Sequence, residues 1–489
     1  MDEGRLILVA GALLALGILA SLVAGRLRIP GLVLFLGVGM AVGSDGLGLV
    51  QFDDYELART IGIIALALIL FEGGLAAGLP EIRPVLGSAI TLALLGTLIT
   101  AIVTGLAASW LLGLSTLEGL LIGSIVSATD GAAIFALLRG STLKRRLART
   151  LEGEAGMNDP VAVLLVLGFI EWIERDDYGV ADMAARFVLE LGIGALVGGA
   201  VGWLAVQGFR RARLATGGLY PVASLAVVAI AFGAADVLHG SGFLAVYLAG
   251  LAMGSTALPA RQTITAFHDG MAWVAQLVMF LTLGLLVFPA QLDESALEGT
   301  LLALVLVFVA RPLAVVVSTA FAPVGIADRL VLGWAGLRGA VPVVLALFPV
   351  IEGVEGSLDF FNVVFFAVLV STLLQGATFE PLARWLKATT DEPALPQPLV
   401  EIGSIRRLGA DVVEVPIAPG DAAVGVRVRD LGLPRDALVN LLVRDEQALP
   451  PRGSTRLQDG DRLYIVARQS AVLALTALRE RWRTGPVGP

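Results

Sequence analysis

Long apolar stretches, separated by short polar ones, fill the chain up to position 388. A helix needs roughly 20 apolar residues to cross a bilayer, and by that measure we count about thirteen spans, of which the second and ninth are the shortest. They lie at 5–25, 31–44, 58–77, 87–112, 116–138, 154–173, 183–209, 218–237, 241–256, 270–290, 299–322, 328–350 and 360–386. The pattern predicts an all-α polytopic membrane domain over residues 1–388.

Charges in the connecting loops alternate in sign. Loops at one end of the spans carry arginine and lysine, with the largest cluster at 144–149, whereas loops at the other end carry acids, such as those at 171–177. Because positively charged loops stay in the cytoplasm, this predicts a cell-membrane protein with its N-terminus outside and its C-terminus inside.

The composition changes after Lys387. Residues 389–399 contain the proline-rich run DEPALPQP and predict a linker. Residues 400–478 predict a small cytoplasmic α+β domain, followed by a tail at 479–489. Strand patterns occur at 411–417, 438–444 and 461–467, before a helix at 470–481. Because a domain of this size has a marginal core, we expect it to pair with a copy of itself.

Composition excludes several kinds of chemistry. The chain has 489 residues, 57% hydrophobic and 16% charged, and no cysteine, which excludes disulfides, thiolate metal sites and cysteine nucleophiles. The two histidines, His239 and His268, lie in or near predicted loops, and we expect surface positions without a site role. Membrane lipid is expected around the spans, and no nucleic-acid partner is expected.

Two carboxylates lie inside otherwise apolar stretches: Asp130 follows Thr129, and Asp159 follows Asn158. A charged side chain at membrane depth costs several kcal/mol unless it lines a water-filled cavity, so such residues indicate functional sites. The two acids with their polar neighbours predict a small dehydrated cation site. A carboxylate holds either a proton or a metal cation, so the same pair can support exchange.

The fifth and twelfth spans carry small and polar residues at mid-depth, SATDGAA at 127–133 and GLRGAVP at 336–342. These residues suit unwound helices whose freed backbone groups line a cavity. The offset of seven spans fits an inverted repeat in which two broken helices cross, with Asp130 offsetting helix N-termini and Arg338 offsetting C-termini. The alternative is two glycine-rich packing faces, since small residues drive helix association in lipid.

The sixth span carries a further buried acid. Glu154 and Asn158 lie on one helix face, whereas Asp159 is turned about 100° further round. Glu154 therefore faces a neighbouring helix and needs a cationic partner, for which Arg338 and Arg311 are available.

Two other residues bear on this region. Pro160 cannot donate to the carbonyl of Gly156, which leaves that oxygen free. Glu72, in the FEGG sequence near the end of the third span, either contributes to a cation path or reaches the membrane interface.

With these residues in place, the chain resembles the NhaP-type monovalent cation:proton antiporters. The resemblance rests on SATDGAA, GEAGMNDPVAVLL, GLRGAVPV and FEGG, in that family's positions across nearly all of residues 1–388. The C-terminal region resembles the ligand-binding half of potassium-conductance-regulator modules (RCK-C, or TrkA-C), and the pairing looks like that of cell-volume-regulation K⁺/H⁺ antiporters. The resemblance implies a thirteen-span inverted-repeat fold, a homodimer, and a core domain that moves against a dimerisation domain.

The same resemblance implies roles for the membrane residues. Asp159 would carry the proton and the cation, Asp130 and the Thr129 backbone would help to form the site, with Glu72 as a further contributor, and Asn158 would brace the broken span through Thr129.

It also implies a structural ion pair between Glu154 and Arg338, with Arg311 as a second possible charge partner. The family often has serine after Glu154, which offers a hydroxyl ligand, whereas this chain has Ala155. The resemblance therefore does not carry over the family's full coordination shell, in which a water can replace the hydroxyl.

These inferences predict secondary antiport of K⁺ or Na⁺ against H⁺ by elevator-like alternating access, with K⁺ favoured on the resemblance of the tail. Because burial disfavours ionised Asp159, a proton and a cation compete for one charge. Because residue 158 is asparagine, we expect electroneutral 1:1 exchange. No resident cofactor is expected. The tail is predicted to sense a nucleotide or a cyclic dinucleotide, with a passive dimer clasp as the alternative.

Two other classes compete with this interpretation. A gated monovalent cation channel with a regulatory tail is the first, but the chain has no TVGYG-like selectivity filter. A membrane enzyme is the second, and the chain has no metal-ligand spacing such as HExxH.

Overall fold

The chain forms two compact units, Met1–Leu395 and Pro396–Pro489. A computed structural model describes residues 3–27, 31–131, 133–134, 142–211, 214, 216–256, 258–287, 292–390, 410–444, 447–468 and 471–487. From position 391 onward, the predicted linker lies outside the described residues.

The first unit is helical, which confirms the predicted all-α membrane domain. In the described part of the chain, eight helices are long and apolar enough to cross a membrane, and five shorter apolar helices accompany them. The number of crossings stays a prediction. The helices, labelled α1–α14, are Glu3–Leu27, Gly31–Val42, Tyr55–Ala77, Leu79–Leu112, Thr116–Ser127, Arg145–Glu174, Val180–Arg211, Leu219–Val237, Gly242–Gly254, Arg261–Leu285, Ser295–Ser318, Ile326–Trp334, Ala340–Glu352 and Ser357–Trp385.

Two of these segments are interrupted where the sequence predicts it. Helix α5 ends at Ser127 and continues as extended backbone at Ala128. Helices α12 and α13 are separated by residues 335–339, which include the GLRG part of GLRGAVP. The remainder of the fifth predicted span, from 135 onward, lies outside the described residues. The inverted-repeat relation between the two segments stays a prediction.

Glycines let neighbouring helices approach closely beside these breaks. A Cβ atom at Gly123 of α5 would lie 2.1 Å from the carbonyl oxygen of Ala101 in α4, and one at Gly74 of α3 would lie 2.4 Å from that of Tyr247 in α9. Such small-residue contacts are the usual way in which helices pack in lipid. They fix α5 and α9 tightly against their neighbours.

Helices α6 and α10 begin well before the positions that hydropathy predicts. Helix α6 begins at Arg145 rather than near 154, because Leu147, Ala148 and Leu151 bury an apolar face of its charged first turns. Helix α10 begins at Arg261 and therefore contains His268, which is fully buried, with Nε2 2.8 Å from Ser224 Oγ. The prediction of a surface position for His268 is wrong.

The second unit is the small α+β domain that the sequence predicts. Strands Ala410–Pro416 (β1), Ala437–Arg444 (β2), Gln447–Leu449 (β3) and Arg462–Arg468 (β4) form an antiparallel sheet in the order β1-β4-β2-β3, closed by helix Val472–Thr484 (α15). Strand β3 is missing from the prediction because its three residues are all exposed and have no apolar alternation. Leu442, Leu463 and Trp482 lie in the core.

Candidate functional site

The two helix breaks meet and exchange hydrogen bonds. The backbone N–H of Asp130 donates to the carbonyl of Leu337 at 3.0 Å. Arg338 Nη1 donates to the carbonyl of Ser127 at 2.6 Å, and the N–H of Ala340 donates to Asp130 Oδ2 at 3.1 Å. Backbone groups at a helix break lack hydrogen-bond partners within their own helix, and here each break supplies partners for the backbone groups of the other. We call this region the junction.

The junction places opposite charges at opposite helix ends. The Arg338 guanidinium lies at the C-terminus of α5, and the Asp130 carboxylate lies at the N-terminus of α13. A cation at a C-terminus and an anion at an N-terminus both stabilise the helix dipole, as the sequence predicts. Gly339 is required here, because a Cβ atom would fall 1.6 Å from Asp130 Oδ2.

Helix α6 presents Asn158 and Asp159 beside the junction. The side-chain amide of Asn158 donates to Thr129 Oγ1, which is the predicted contact. Asp159 is 3% exposed, and Asp130 and Arg338 are the charged groups that act on it. Among the described residues, neither Asp159 Oδ1 nor Asn158 Oδ1 has a hydrogen-bond partner. A carboxylate oxygen and an amide oxygen, neither of which has a hydrogen-bond partner in the described residues, therefore lie on adjacent residues beside the helix breaks.

Glu154 forms its ion pair with Arg311 rather than with Arg338. The Arg311 guanidinium approaches both carboxylate oxygens, at 2.5 and 2.9 Å, and also donates to the carbonyl of Leu332. The predicted Glu154–Arg338 pair is therefore wrong, and the alternative partner is the one observed. The physical reason is that Arg338 is already used at the junction, where it donates to Ser127.

Arg338 is held at the junction from two directions. Its carbonyl accepts a hydrogen bond from Thr372 Oγ1 of α14, while its guanidinium reaches α5. Its Nε and Nη2 have no hydrogen-bond partner in the described part of the chain. The side chain is fully buried and lies near Asp159.

Glu72 and Ala155 are the remaining predicted residues of this region. Glu72 lies on α3 and is 8% exposed. Ala155 is buried and supplies no side-chain oxygen. The roles of Asp159, Asp130, Thr129 and Glu72 in cation binding stay predictions.

An ionic network, which hydropathy does not predict, lies at the beginning of α6. Arg149 Nη1 bonds Glu152 Oε2 at 2.6 Å, and both side chains are buried. Arg149 and Arg145 also contact Glu81 at the beginning of α4, at 3.3 and 2.6 Å. The signal was the i, i+3 spacing of Arg149 and Glu152 in a segment that hydropathy assigned to a loop.

Comparison with known proteins now identifies the chain's family. The transmembrane sodium/hydrogen exchanger family matches residues 11–385, and the TrkA-C domain family matches residues 412–479. The chain belongs to the sodium/hydrogen exchanger family. It is a multi-pass membrane antiporter of monovalent cations and protons, with a C-terminal TrkA-C domain.

Individual relatives agree with this assignment. The chain is 37% identical over 474 residues to the K(+)/H(+) antiporter NhaP2 of Shewanella baltica, which covers 96% of this chain and 82% of the relative. It is 38% identical over 473 residues to the K(+)/H(+) antiporter NhaP of Alkalimonas amylolytica, at 95% and 82% coverage. The solved structure of the sodium proton antiporter MjNhaP1 from Methanocaldococcus jannaschii at pH 8 has the same fold, with a TM-score of 0.66, 22% identity, and 78% and 98% coverage.

Proposed function

We propose that this antiporter exchanges K⁺, in preference to Na⁺, for H⁺, and that Asp159 carries both ions. The observation that carries the proposal is the buried carboxylate of Asp159, with one oxygen unpartnered among the described residues and the charged groups of the junction beside it. The preference for K⁺ is supported by relatives that are named K(+)/H(+) antiporters at 37% and 38% identity.

The mechanism follows from the cost of a buried charge. A carboxylate at membrane depth is costly unless a proton or a cation neutralises it. The two ions compete for Asp159, and in an elevator-like cycle the core moves across the membrane only when one of them is bound. The unloaded, charged core does not cross, which prevents leak.

The stoichiometry is proposed to be one proton for one cation. Asn158 is neutral and its amide donates to Thr129, while Asp130 accepts backbone N–H groups from Ala133 and Ala340. This leaves Asp159 as the exchanging charge. We therefore expect electroneutral transport, with no current when a cation gradient drives proton movement in planar bilayers. A current that reverses with voltage would contradict the 1:1 ratio.

Proton flux in proteoliposomes tests the assignment of Asp159. With a preset pH gradient, added K⁺ should trigger proton movement, and Na⁺ and Li⁺ should do so less effectively. Asp159→Asn should abolish this movement, because an amide neither takes up nor releases a proton near neutral pH and carries no negative charge. Asp176→Asn, an exposed acid just beyond α6, serves as the matched control and should transport normally. Ion flux without proton movement would point to a channel.

The proposed regulation assigns a sensor role to the TrkA-C domain of a homodimer in the cell membrane, with the N-terminus outside and this domain in the cytoplasm. Support comes from the segment that leads to it. Thr390 N–H donates to the Thr142 carbonyl at 2.6 Å, and Lys144 N–H donates to the Ala388 carbonyl at 2.9 Å. The segment that leads to the TrkA-C domain is thus hydrogen-bonded to the residues that immediately precede α6. We propose a nucleotide or a cyclic dinucleotide as its ligand.

A further inference from the structure

One face of α6 carries polar groups besides Asp159 that have no role in the proposed exchange. Glu152, Gly156 and Asp159 fall within an arc of about 60° and span about 10 Å along the axis, from helical geometry. The ring of Tyr247, from α9, rests on this face at the level of Gly156. A Cβ atom at Gly156 would lie 2.1 Å from Tyr247 Cε2 and 2.5 Å from Cζ, so only glycine admits the ring.

Several polar atoms near Gly156 have no hydrogen-bond partner in the described residues. The Tyr247 hydroxyl is buried and has no hydrogen-bond partner in the described residues, and the same holds for Asp159 Oδ1. The Gly156 carbonyl lacks its helical donor, because Pro160 has no N–H. Buried polar groups are nearly always paired, so this concentration needs an explanation other than packing. A route along which protons pass from group to group provides one.

Glu152 connects this level to the basic end of α6, which is the end that begins at Arg145. Glu152 is 2% exposed and acts electrostatically on Tyr247. Its other charged neighbours are Arg149, Arg145 and Glu81. Glu81 is 36% exposed. The carboxylates of Glu81, Glu152 and Asp159 therefore form a series that begins at the protein surface.

We propose that Glu152 and the Tyr247 hydroxyl form the proton route between the basic end of α6 and Asp159. Protonated Glu152 gives its proton through water to the Tyr247 oxygen as the Tyr247 hydroxyl gives its own through water to Asp159, because the structure shows no direct hydrogen bond to the Tyr247 hydroxyl from the described residues. Tyr247 is neutral before and after, one proton moves from Glu152 to Asp159, and Glu152 is left ionised. It is reprotonated from the side of Glu81. The inference rests on the proposed carrier role of Asp159.

A purely structural role for these residues makes a different prediction. The Arg149–Glu152 pair would then only anchor the beginning of α6, and Tyr247 would only fill space. Removing either would damage every transport mode equally. A proton route, in contrast, is needed for cation:proton exchange and not for exchange of one cation for another, in which no proton moves.

The test compares these two modes in proteoliposomes. Tyr247→Phe and Glu152→Gln should each slow K⁺:H⁺ exchange by about tenfold, below the full contribution of a general acid–base group because water can substitute in part. Both variants should leave K⁺:Rb⁺ exchange and the apparent KM for K⁺ unchanged. Since the two residues act in series, the double variant should be about as slow as the slower single variant.

A matched control is present in the same chain. Tyr178→Phe removes another buried tyrosine hydroxyl, beyond the opposite end of α6. It should keep normal rates in both modes.

Equal losses in both modes, or normal K⁺:H⁺ exchange in Tyr247→Phe and Glu152→Gln, would overturn the proton route. Asp159→Asn keeps this failure separate from failure of the proposed function. If that variant still exchanges K⁺ for H⁺, the carrier assignment is wrong. If it is inactive while the other two variants behave as wild type, only the route is wrong.

Discussion

Glu154 and Arg311 form an ion pair whose side chains are only 1% and 3% exposed. Removing one partner of such a pair leaves an uncompensated buried charge, which costs about 3–5 kcal/mol. We therefore expect Glu154→Gln to lower the thermal unfolding midpoint of the detergent-solubilised protein strongly. Replacing both residues, as Glu154→Gln with Arg311→Met, should restore much of the loss, because no unpaired charge remains.

The matched control for this prediction is an exposed pair in the same membrane unit. Glu380 and Arg384 lie four residues apart on α14, and their side chains are 68% and 66% exposed. Exposed pairs contribute about 0–1 kcal/mol, so Glu380→Gln should shift the midpoint little. Similar shifts for Glu154→Gln and Glu380→Gln would show that the Glu154–Arg311 contact does not stabilise the fold.

At the level of elements, the junction depends on how closely two helix breaks approach. Alanine at position 339 would place its Cβ 1.6 Å from Asp130 Oδ2, so the breaks must separate and the bond from Ala340 N–H is lost. We expect Gly339→Ala to abolish transport while the purified protein stays folded. Gly333→Ala, in the preceding helix, meets no atom closer than Pro312 Cα at 3.7 Å and should transport normally. Normal exchange rates in Gly339→Ala would mean that transport does not need the tight junction.

The sequence predicts the two breaks better than it predicts their partners. Runs of small and polar residues inside apolar spans are a local signal, and they locate both interruptions. Which arginine pairs with Glu154 depends on the packing of helices that lie far apart in the chain, and Arg338 is taken by the carbonyl of Ser127. The sequence does not predict the proximity of Glu152 and Tyr247 for a similar reason. Hydropathy places Glu152 outside the sixth span and does not indicate that Tyr247 packs on Gly156.

At the scale of the whole molecule, the proposed sensor and a passive dimer clasp make different predictions for the TrkA-C domain. A sensor should change how transport depends on pH, because the segment leading to the domain is hydrogen-bonded to the beginning of α6. Deleting residues 399–489 removes the domain. Asp461→Asn keeps it attached but removes a fully buried charge that Arg444 binds through two hydrogen bonds of 2.8 Å. We expect both variants to shift the pH at which K⁺:H⁺ exchange is half-maximal, measured in proteoliposomes, and to shift it in the same direction. If both kept the wild-type profile and only the deletion lowered the dimer fraction in solution, the domain would be a passive clasp.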